Sequence, residues 1–273
     1  MRKAKRKVKK LFSHLERGFR WLGVEKLKPA YLHIPKTGGT YLGQLELDKK
    51  PVLQPLVYLG HSYVIDSSDD MNVIYLEHAL DRAKRSVLEP WEIQNYHMFS
   101  TVRNIFDWLV SYASHAGGWN PKYRNTEHYD YEAAQKGFDY LLKTIVNREY
   151  QWPGRRFIHS QLFSSGGDLV VDWLNSTASL DQDLEDFAKK YGYSYRGRPK
   201  QRLGNREDYR NYYDDGLLEL VYETWSDEID LLGFDFDGGA RDTTKLPRAI
   251  SEDVKKRVRY DWKRNLLSYD SSQ

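Results

Sequence analysis

Short apolar runs alternate with stretches of helical periodicity along most of this 273-residue chain. The runs are rich in β-branched and aromatic residues, which is typical of strands buried on both faces of a sheet. They cover residues 30–34, 56–60, 97–102 and 168–174. Because helical stretches separate them, the pattern predicts an α/β fold with a mainly parallel central sheet flanked by helices.

Two of the predicted helices have recognisable ends. One follows Asn104, a good N-cap residue, and repeats apolar positions at helical spacing. The other is predicted to begin with a capping box formed by Ser179 and Gln182 and to end at Gly192. These ends place each helix directly after a predicted strand.

A later stretch has the same apolar spacing from Leu218 to Ile229 and predicts one helix that ends at Gly233. Residues 113–160 are different, because they are rich in turn formers, aromatic residues and charges. A long irregular segment inside a domain is usually functional. We therefore expect these residues to line the side of a binding site where an acceptor molecule would lie.

Composition narrows the class of protein without giving a function. Charged residues make up 30% of the chain, and no apolar run approaches the ~20 residues that a transmembrane helix needs. The chain contains no cysteine, which excludes disulfides, thiol nucleophiles and thiolate metal ligands within it. These features predict a soluble globular protein in a reducing compartment such as the cytoplasm.

The net charge of +3 conceals a strongly basic first segment. Residues 1–28 carry eleven Lys or Arg against two Glu, a balance of +9, so the rest of the chain carries −6. Leu11, Leu15, Phe19 and Leu22 share one helical face there. The pattern is typical of a helix on an anionic membrane surface, such as the inner membrane surface, or on an acidic polymer, and equally of a solvated tail leading into a packed helix. Since the remainder is net acidic, nucleic acid is not expected as a partner.

The stretch YLHIPKTGGTYLG, residues 31–43, joins a predicted strand to a predicted helix through a glycine turn. Free backbone N–H groups and the positive end of the helix dipole both favour an anion at such a turn. In PKTGGT, residues 35–40, Lys36 precedes the glycines, whereas a Walker A loop ends in Gly-Lys-Ser/Thr. We therefore predict a short loop that wraps one phosphate while Lys36 reaches the group beyond it.

A second strand runs into a helix in FSTVRNIFDWLVSYASH, residues 99–115. Arg103 stands at the strand end, and Ser111 lies two turns into the helix on the same side. A guanidinium and a hydroxyl that converge there would form a second anion site, the guanidinium supplying a bidentate fork. The alternative is structural, with Arg103 paired to Asp107 at i+4 and Ser111 facing solvent.

Together the two motifs resemble those of the sulfotransferases that use 3′-phosphoadenosine 5′-phosphosulfate (PAPS). The similarity is to the carbohydrate branch, which includes the heparan sulfate 2-O-sulfotransferases and their bacterial relatives. HIPKTGGT resembles the loop for the 5′-phosphosulfate, and VRNIFDWLVSY resembles the 3′-phosphate motif. Further similarity follows in the family's order at residues 159–163, 171–192 and 209–234. This resemblance implies a P-loop-like three-layer fold with PAPS as donor and 3′-phosphoadenosine 5′-phosphate (PAP) as product, without a metal.

The resemblance also divides the chain into three parts. Residues 1–28 form the basic amphipathic N-terminal segment, residues 29–236 the sulfotransferase domain and residues 237–273 a C-terminal helical extension. In the extension, Ser251 is predicted to cap a helix carrying Val254. That helix is expected either to pack on the domain or to contact a partner.

The family's roles carry over to the matching positions. Lys36 would stabilise the departing phosphate at its bridging oxygen, and Arg103 with Ser111 would bind the 3′-phosphate that distinguishes PAPS from ATP. The residues that would hold the 5′-phosphate are Thr37, Gly38, Gly39, Thr40 and Tyr41. Ile105 and Trp108 stand where the family usually has proline and arginine, and neither change removes the anion-binding groups.

The predicted base is His61 in YLGHSYV, because similar polysaccharide enzymes carry a Gly-His pair there and histidine titrates near neutral pH. A structural histidine is the alternative reading. Other candidates for the base are Glu77, His78 and His115. The predicted acceptor-binding residues are His61, His115, Trp119 and Arg155. The acceptor is expected to be a carbohydrate, a glycolipid-like molecule or a small alcohol, and no oligomeric state is predicted.

Two other functions fit part of the pattern. A nucleotide-dependent kinase or NTPase would want its lysine after the glycines and a magnesium-binding Ser or Thr next to it. A non-catalytic binding protein would dock on membrane or polyanion through residues 1–28. Magnesium-dependent ATP turnover would favour the first alternative, and loss of function on removal of residues 1–28 would favour the second.

Overall fold

A parallel sheet with buried side chains on both faces forms the centre of the molecule. The computed structural model describes residues 27–38, 42, 93–116, 131–146, 157–196, 207–238 and 246–258, together with the backbone of short strands between residues 53 and 88. The strands are β1 (Lys28–Leu32), β2 (Leu53–Gln54), β3 (Val57–Tyr58), β4 (Ser62–Ser68), β5 (Met71–Glu77), β6 (Arg85–Leu88), β7 (Tyr96–Val102), β8 (Trp173–Ser176) and β9 (Ser194–Tyr195). The central sheet has the order β3-β1-β7-β8 and its neighbours pair in parallel.

Helices connect and cover these strands. They are α1 (Ile105–Ala116), α2 (Tyr131–Val146), α3 (Phe157–Leu162), α4 (Leu180–Tyr191), a 3-10 helix (Tyr209–Tyr212), α5 (Asp215–Thr224), α6 (Ser226–Leu232) and α7 (252–258). The fold is therefore mixed α/β, as the alternation of patterns predicted.

Residue alternation along β1 and β7 divides the core into two layers. Ala30 and Leu32 face a large apolar cluster that includes residues of α1, α2, α3, α5 and α6. Tyr31 and Phe99 face the opposite side, where they pack against Phe187 and its neighbours on α4. Since successive side chains of a strand point to opposite faces, this pattern places helices on both faces of the sheet.

The predicted strand at 97–102 is confirmed, whereas two others differ in extent. β1 ends at Leu32 and not at residue 34, because the chain turns there and the Thr37 hydroxyl donates to the Ile34 carbonyl at 2.6 Å. The strand predicted at 168–174 begins only at Trp173. Asp168 is instead drawn into an antiparallel bridge with Ala249.

Two small antiparallel sheets were not predicted. β4, β5 and β6 pair in that order, and β2 pairs with β9. The expectation of an irregular segment over residues 113–160 was wrong in part. α2 occupies residues 131–146, and its Phe138 and Leu142 are buried in the larger cluster.

The predicted capping box of α4 was also wrong. Ser179 makes no capping hydrogen bond; its hydroxyl donates to Asp183 Oδ2 at 2.9 Å, and the same oxygen accepts from Ser176 N at 2.6 Å. Gln182 donates to Asp186 instead. The carboxylate of Asp183 thus joins the end of β8 and Ser179 to the first turn of α4, because a charged acceptor competes well for a backbone N–H group.

Two glycines end their helices as predicted. Gly192 (φ 74°) and Gly233 (φ 64°) both adopt the left-handed conformation that closes a helix. The stretch before Gly233, predicted as one helix, is divided at Trp225 into α5 and α6. Trp225 is 2% exposed, so the break places a large side chain in the core.

The segment 246–258 packs against the rest of the molecule. Leu169 N donates to the Arg248 carbonyl at 2.8 Å, and Ile250 N donates to the Gly167 carbonyl at 3.0 Å. Val258 is fully buried, and the Ser251 hydroxyl accepts from Val254 N at 3.3 Å. The packing and the cap thus match the expectation for the start of this helix. None of the helices in the described part is long and apolar enough to cross a membrane.

Candidate anion-binding site

The turn after β1 holds an unusual backbone conformation. Lys36 has φ 68°, which is the only positive φ of a non-glycine among the described residues, and Gly38 has φ 92°. A Cβ on Gly38 would lie 3.3 Å from Leu180 Cδ2, so the turn also passes close to α4. Glycine relieves both constraints at residue 38, whereas Lys36 adopts a conformation that needs support from its surroundings.

Arg103 supplies part of that support and joins the two predicted motifs. Its Nη1 donates to Ser111 Oγ at 3.0 Å and to the Lys36 carbonyl at 3.2 Å. Its Nε donates to Asp107 Oδ2 at 2.5 Å. The ion pair between Arg103 and Asp107 that the structural alternative predicted is therefore present, but Ser111 also accepts a hydrogen bond from the guanidinium.

The carboxyl ends of β1 and β7 explain this convergence. The two strands are parallel neighbours, with Tyr31 opposite Phe99 and Leu32 opposite Ser100. Chain segments that leave adjacent parallel strands emerge at the same edge of the sheet, which is where ligands bind in α/β folds. The turn at Lys36 and the start of α1 thus meet although 67 residues separate Lys36 from Arg103.

Trp108 provides a further contact with the turn that the sequence did not predict. Its indole Nε1 donates to the Pro35 carbonyl at 2.8 Å. The ring is 1% exposed and stacks with Tyr112 and Phe157, at centroid distances of 5.3 and 5.7 Å. The sequence indicated Trp108 only as one of the apolar positions that repeat at helical spacing after Asn104.

Asn104 fixes the start of α1 beside this cluster. Its side-chain Oδ1 accepts from Phe106 N at 3.0 Å, and its Nδ2 donates to the Asp235 carbonyl at 2.7 Å. The Tyr213 hydroxyl donates to the Phe106 carbonyl at 2.8 Å. The predicted N-cap residue therefore also ties α1 to the chain that follows α6.

A buried layer of hydroxyl groups lies beneath the turn. Thr37 and Thr101 are fully buried, and their side chains lie close to the phenol of Tyr31. Burial raises the pKa of Tyr31 far above its usual range, so the phenol stays neutral at any physiological pH. This layer supports the turn without contributing charge.

Two cations and one carboxylate dominate the electrostatics of the cluster. Lys36 and Arg103 carry positive charge, and Asp107 neutralises one equivalent, which leaves an excess of one positive charge among the three. The Arg103 and Asp107 side chains are 20% and 19% exposed. Since Ser111 Oγ accepts from Arg103, its hydroxyl proton can donate to an incoming anion.

Several of the predicted site residues lie outside the described residues. These are His61, Gly39, Thr40, Tyr41, Trp119 and Arg155. His115 lies in α1, but its side chain is also outside the described part. The structure therefore brings together Lys36, Thr37, Gly38, Arg103 and Ser111, and the predictions about the base and the acceptor contacts stay predictions.

Comparisons of the chain with protein-family models, with curated proteins and with solved structures give no match. Among the described residues, no group of three or more His, Cys, Asp or Glu side chains is arranged to hold a metal ion. The site therefore offers an anion a cationic cluster, a hydroxyl donor and a tight turn at the carboxyl ends of two parallel strands.

Proposed function

We propose that the chain is a sulfotransferase that moves a sulfuryl group from PAPS to a hydroxyl of a carbohydrate or glycolipid-like acceptor. The observation that carries this proposal is the contact of one guanidinium, that of Arg103, with both Ser111 and the backbone of Lys36. A donor with phosphate groups at both ends of its ribose needs two anion sites close together. The two motifs that resemble those sites meet at this residue.

In this proposal the donor lies across the carboxyl ends of β1 and β7. The 3′-phosphate binds against Arg103 and the Ser111 hydroxyl, where a planar fork suits a phosphate. The 5′-phosphosulfate lies over the turn, held by backbone N–H groups of residues 37–41 and the Thr40 hydroxyl. The glycine turn lies between a strand and Leu42, which has helical backbone, and a P-loop-like fold would use such a turn for this purpose.

The reaction is an in-line transfer. The acceptor oxygen forms a bond to sulfur while the bond between sulfur and the bridging oxygen breaks, and PAP leaves with the electron pair. Lys36 stabilises the charge that develops on the bridging oxygen. The proton of the acceptor hydroxyl passes to a base, for which His61 is the candidate. Holding donor and acceptor in line supplies much of the rate.

The order of the turn favours this donor over ATP. Lys36 precedes both glycines, whereas a kinase or NTPase loop carries its lysine after them, beside the hydroxyl that binds magnesium. Trp119 and Arg155 would contact the acceptor, and His115 would line the same side. A peripheral membrane contact through residues 1–28 would bring the enzyme to a glycolipid-like acceptor.

Transfer of radiolabelled sulfate from PAPS to a panel of polysaccharides and small alcohols tests the proposal. Arg103→Ala is expected to reduce transfer at least about tenfold, because a charged hydrogen bond to phosphate is lost. Arg257→Ala is the matched control, since Arg257 pairs with Asp227 on α6 away from the turn. Transfer that survives both Lys36→Ala and Arg103→Ala would show that the proposed donor site is wrong.

A further inference from the structure

The strained backbone at Lys36 is held by hydrogen bonds that the peptide groups on its two sides accept. The Pro35 carbonyl belongs to the peptide before Lys36 and accepts from Trp108 Nε1 at 2.8 Å. The Lys36 carbonyl belongs to the peptide after it and accepts from Arg103 Nη1 at 3.2 Å. Because φ and ψ of a residue are the rotations between those two peptide planes, the two donors together fix the backbone of Lys36.

This fixation determines where the Lys36 side chain starts. The left-handed conformation, with φ 68°, directs Cβ differently from an extended or helical residue. Such a conformation costs free energy at a residue with a side chain and persists only where neighbouring groups hold it. If either hydrogen-bond donor released its carbonyl, the turn would relax and the ammonium group of Lys36 would move.

The two donors are not equivalent. Arg103 shares Nη1 between Lys36 and Ser111 and is 20% exposed, so an anion at that cluster changes its bonding. Trp108 is 1% exposed and is packed between the rings of Tyr112 and Phe157. The indole therefore holds the same position with or without a ligand.

We propose that Trp108 is a positioning residue that keeps Lys36 aimed at the leaving group, through its hydrogen bond to the Pro35 carbonyl. This inference rests on the proposed function for its kinetic consequence, whereas the effect on the turn does not depend on it. Trp108 acts through the backbone of the turn and does not contact PAPS.

The test replaces Trp108 with β-(3-benzothienyl)alanine, which has the shape of tryptophan but sulfur in place of the N–H group. The stacking on Tyr112 and Phe157 is retained, and only the hydrogen bond is lost. We expect amide hydrogen exchange at Leu42, whose N–H donates to the Gly38 carbonyl at 3.2 Å across the turn, to accelerate about tenfold while the amides of β7 keep their rates. In the transfer reaction, kcat is expected to fall about tenfold with the KM for PAPS unchanged within about twofold.

The matched control is the same replacement at Trp173. Its indole Nε1 donates to Asn175 Oδ1 at 2.9 Å, so one comparable bond is lost away from the turn. Exchange at Leu42 and kcat are both expected to keep wild-type values in this variant.

Three results would overturn the inference. The first is unchanged exchange at Leu42 in the Trp108 variant, and the second is unchanged kcat with faster exchange. The third is loss of protection throughout the molecule, which would assign Trp108 a purely structural role. Failure of the proposed function is distinguishable, because the wild-type protein would then neither transfer sulfate nor be stabilised by PAP. In that case the exchange data alone still decide whether Trp108 holds the turn.

Discussion

Two groups of polar side chains in this molecule use charge in opposite ways. The first, which we call the loop cluster, consists of Lys36, Arg103, Asp107 and Ser111, and its described acid–base pair is about one-fifth exposed. The second, the buried pair, consists of His159 and Glu228, which are 2% and 0% exposed. Cations are in excess in the first, whereas one acidic and one basic group face each other in the second.

The two side chains of the buried pair are in close contact, although Glu228 Oε2 has no hydrogen-bond partner among the described residues. Glu228 Oε1 lies 2.9 Å from His159 Nδ1 and accepts from His159 N at 3.1 Å, near the start of α3. Removal of the partner of a buried carboxylate lowers the free energy of unfolding. In the loop cluster, by contrast, side-chain donors support a strained backbone and leave positive charge near solvent. The difference indicates that the buried pair serves stability, and it supports the proposal that the loop cluster binds an anion.

The largest effect is expected from breaking the buried pair. His159→Leu leaves the Glu228 carboxylate buried without its partner, and we expect the free energy of unfolding to fall by about 3–5 kcal/mol, measured by chemical denaturation. The double variant His159→Leu with Glu228→Leu should recover much of that loss. Lys143→Leu, which removes an exposed pair with Asp139, is the control and should change stability by at most ~0.5 kcal/mol. A small loss in His159→Leu would contradict the stabilising role.

The opposite behaviour is expected at Lys36. Lys36→Met keeps most of the aliphatic stem and removes the charge that the proposed function places beside the leaving oxygen. We expect kcat for sulfate transfer to fall by about 10²–10³, comparable to the loss of one donor that stabilises developing charge. The free energy of unfolding should stay close to the wild-type value, and Lys143→Met serves as the control for kcat. Equal losses of kcat and stability would remove the contrast between the two groups.

A smaller effect is expected when the shape of the cation changes without its charge. In Arg103→Lys an ammonium group replaces the fork that reaches Asp107, Ser111 and the Lys36 carbonyl at once. The affinity for PAP, measured by titration calorimetry, should fall about tenfold. Arg257→Lys is the matched control with unchanged affinity. Full affinity in Arg103→Lys would mean that charge alone, and not the planar fork, holds the ligand.

The smallest effect concerns the amino end of the sheet, where His97 Nδ1 lies 2.6 Å from the Tyr193 hydroxyl. That hydroxyl donates to the Leu27 carbonyl, so His97 Nδ1 carries the proton in their contact. Burial lowers the pKa of His97 despite the attraction of Asp172, and Lys190 lowers it further. The unfolded chain therefore takes up the proton first, and stability falls as pH drops below the unfolded pKa of about 6.5.

Replacement of His97 isolates this contribution. In His97→Asn the loss of unfolding free energy between about pH 7.5 and about pH 5.5 should be smaller than in the wild-type protein. Burial raises the pKa of Asp172 from its ordinary value of 3.8, and this group acts with the opposite sign at lower pH, so the chosen window separates the two. Identical pH dependence in both proteins would show that His97 does not contribute.

The sequence predicted those parts of the fold that local chemistry decides. Asn104 caps α1, and Gly192 and Gly233 close their helices in the left-handed conformation, because each role needs only the residue and its neighbours in the chain. The meeting of Lys36 with Arg103 and Ser111 followed from the parallel order of two strands. These are short-range signals combined with one rule of topology.

The parts that were missed depend on contacts distant in sequence or on competition between neighbours. The capping box of α4 does not form, since the Ser179 hydroxyl donates to Asp183 and the Gln182 amide to Asp186, and carboxylates are strong acceptors. The break at Trp225 precedes Glu228, whose partner lies 69 residues away on α3. No local pattern indicated the hydrogen bond from Trp108 to the turn, because its acceptor is a backbone carbonyl 73 residues away.

The most direct measurement of the central claim is the stabilisation of the protein by PAP against thermal unfolding, compared with 5′-AMP and ADP at equal concentration. At ~100 times its dissociation constant, PAP should add ~2.7 kcal/mol to the free energy of unfolding. We predict that PAP stabilises the protein clearly more than 5′-AMP, which lacks only the 3′-phosphate. In Arg103→Ala this difference should be lost. A larger stabilisation by ADP than by PAP, or no stabilisation by any of the three, would contradict it.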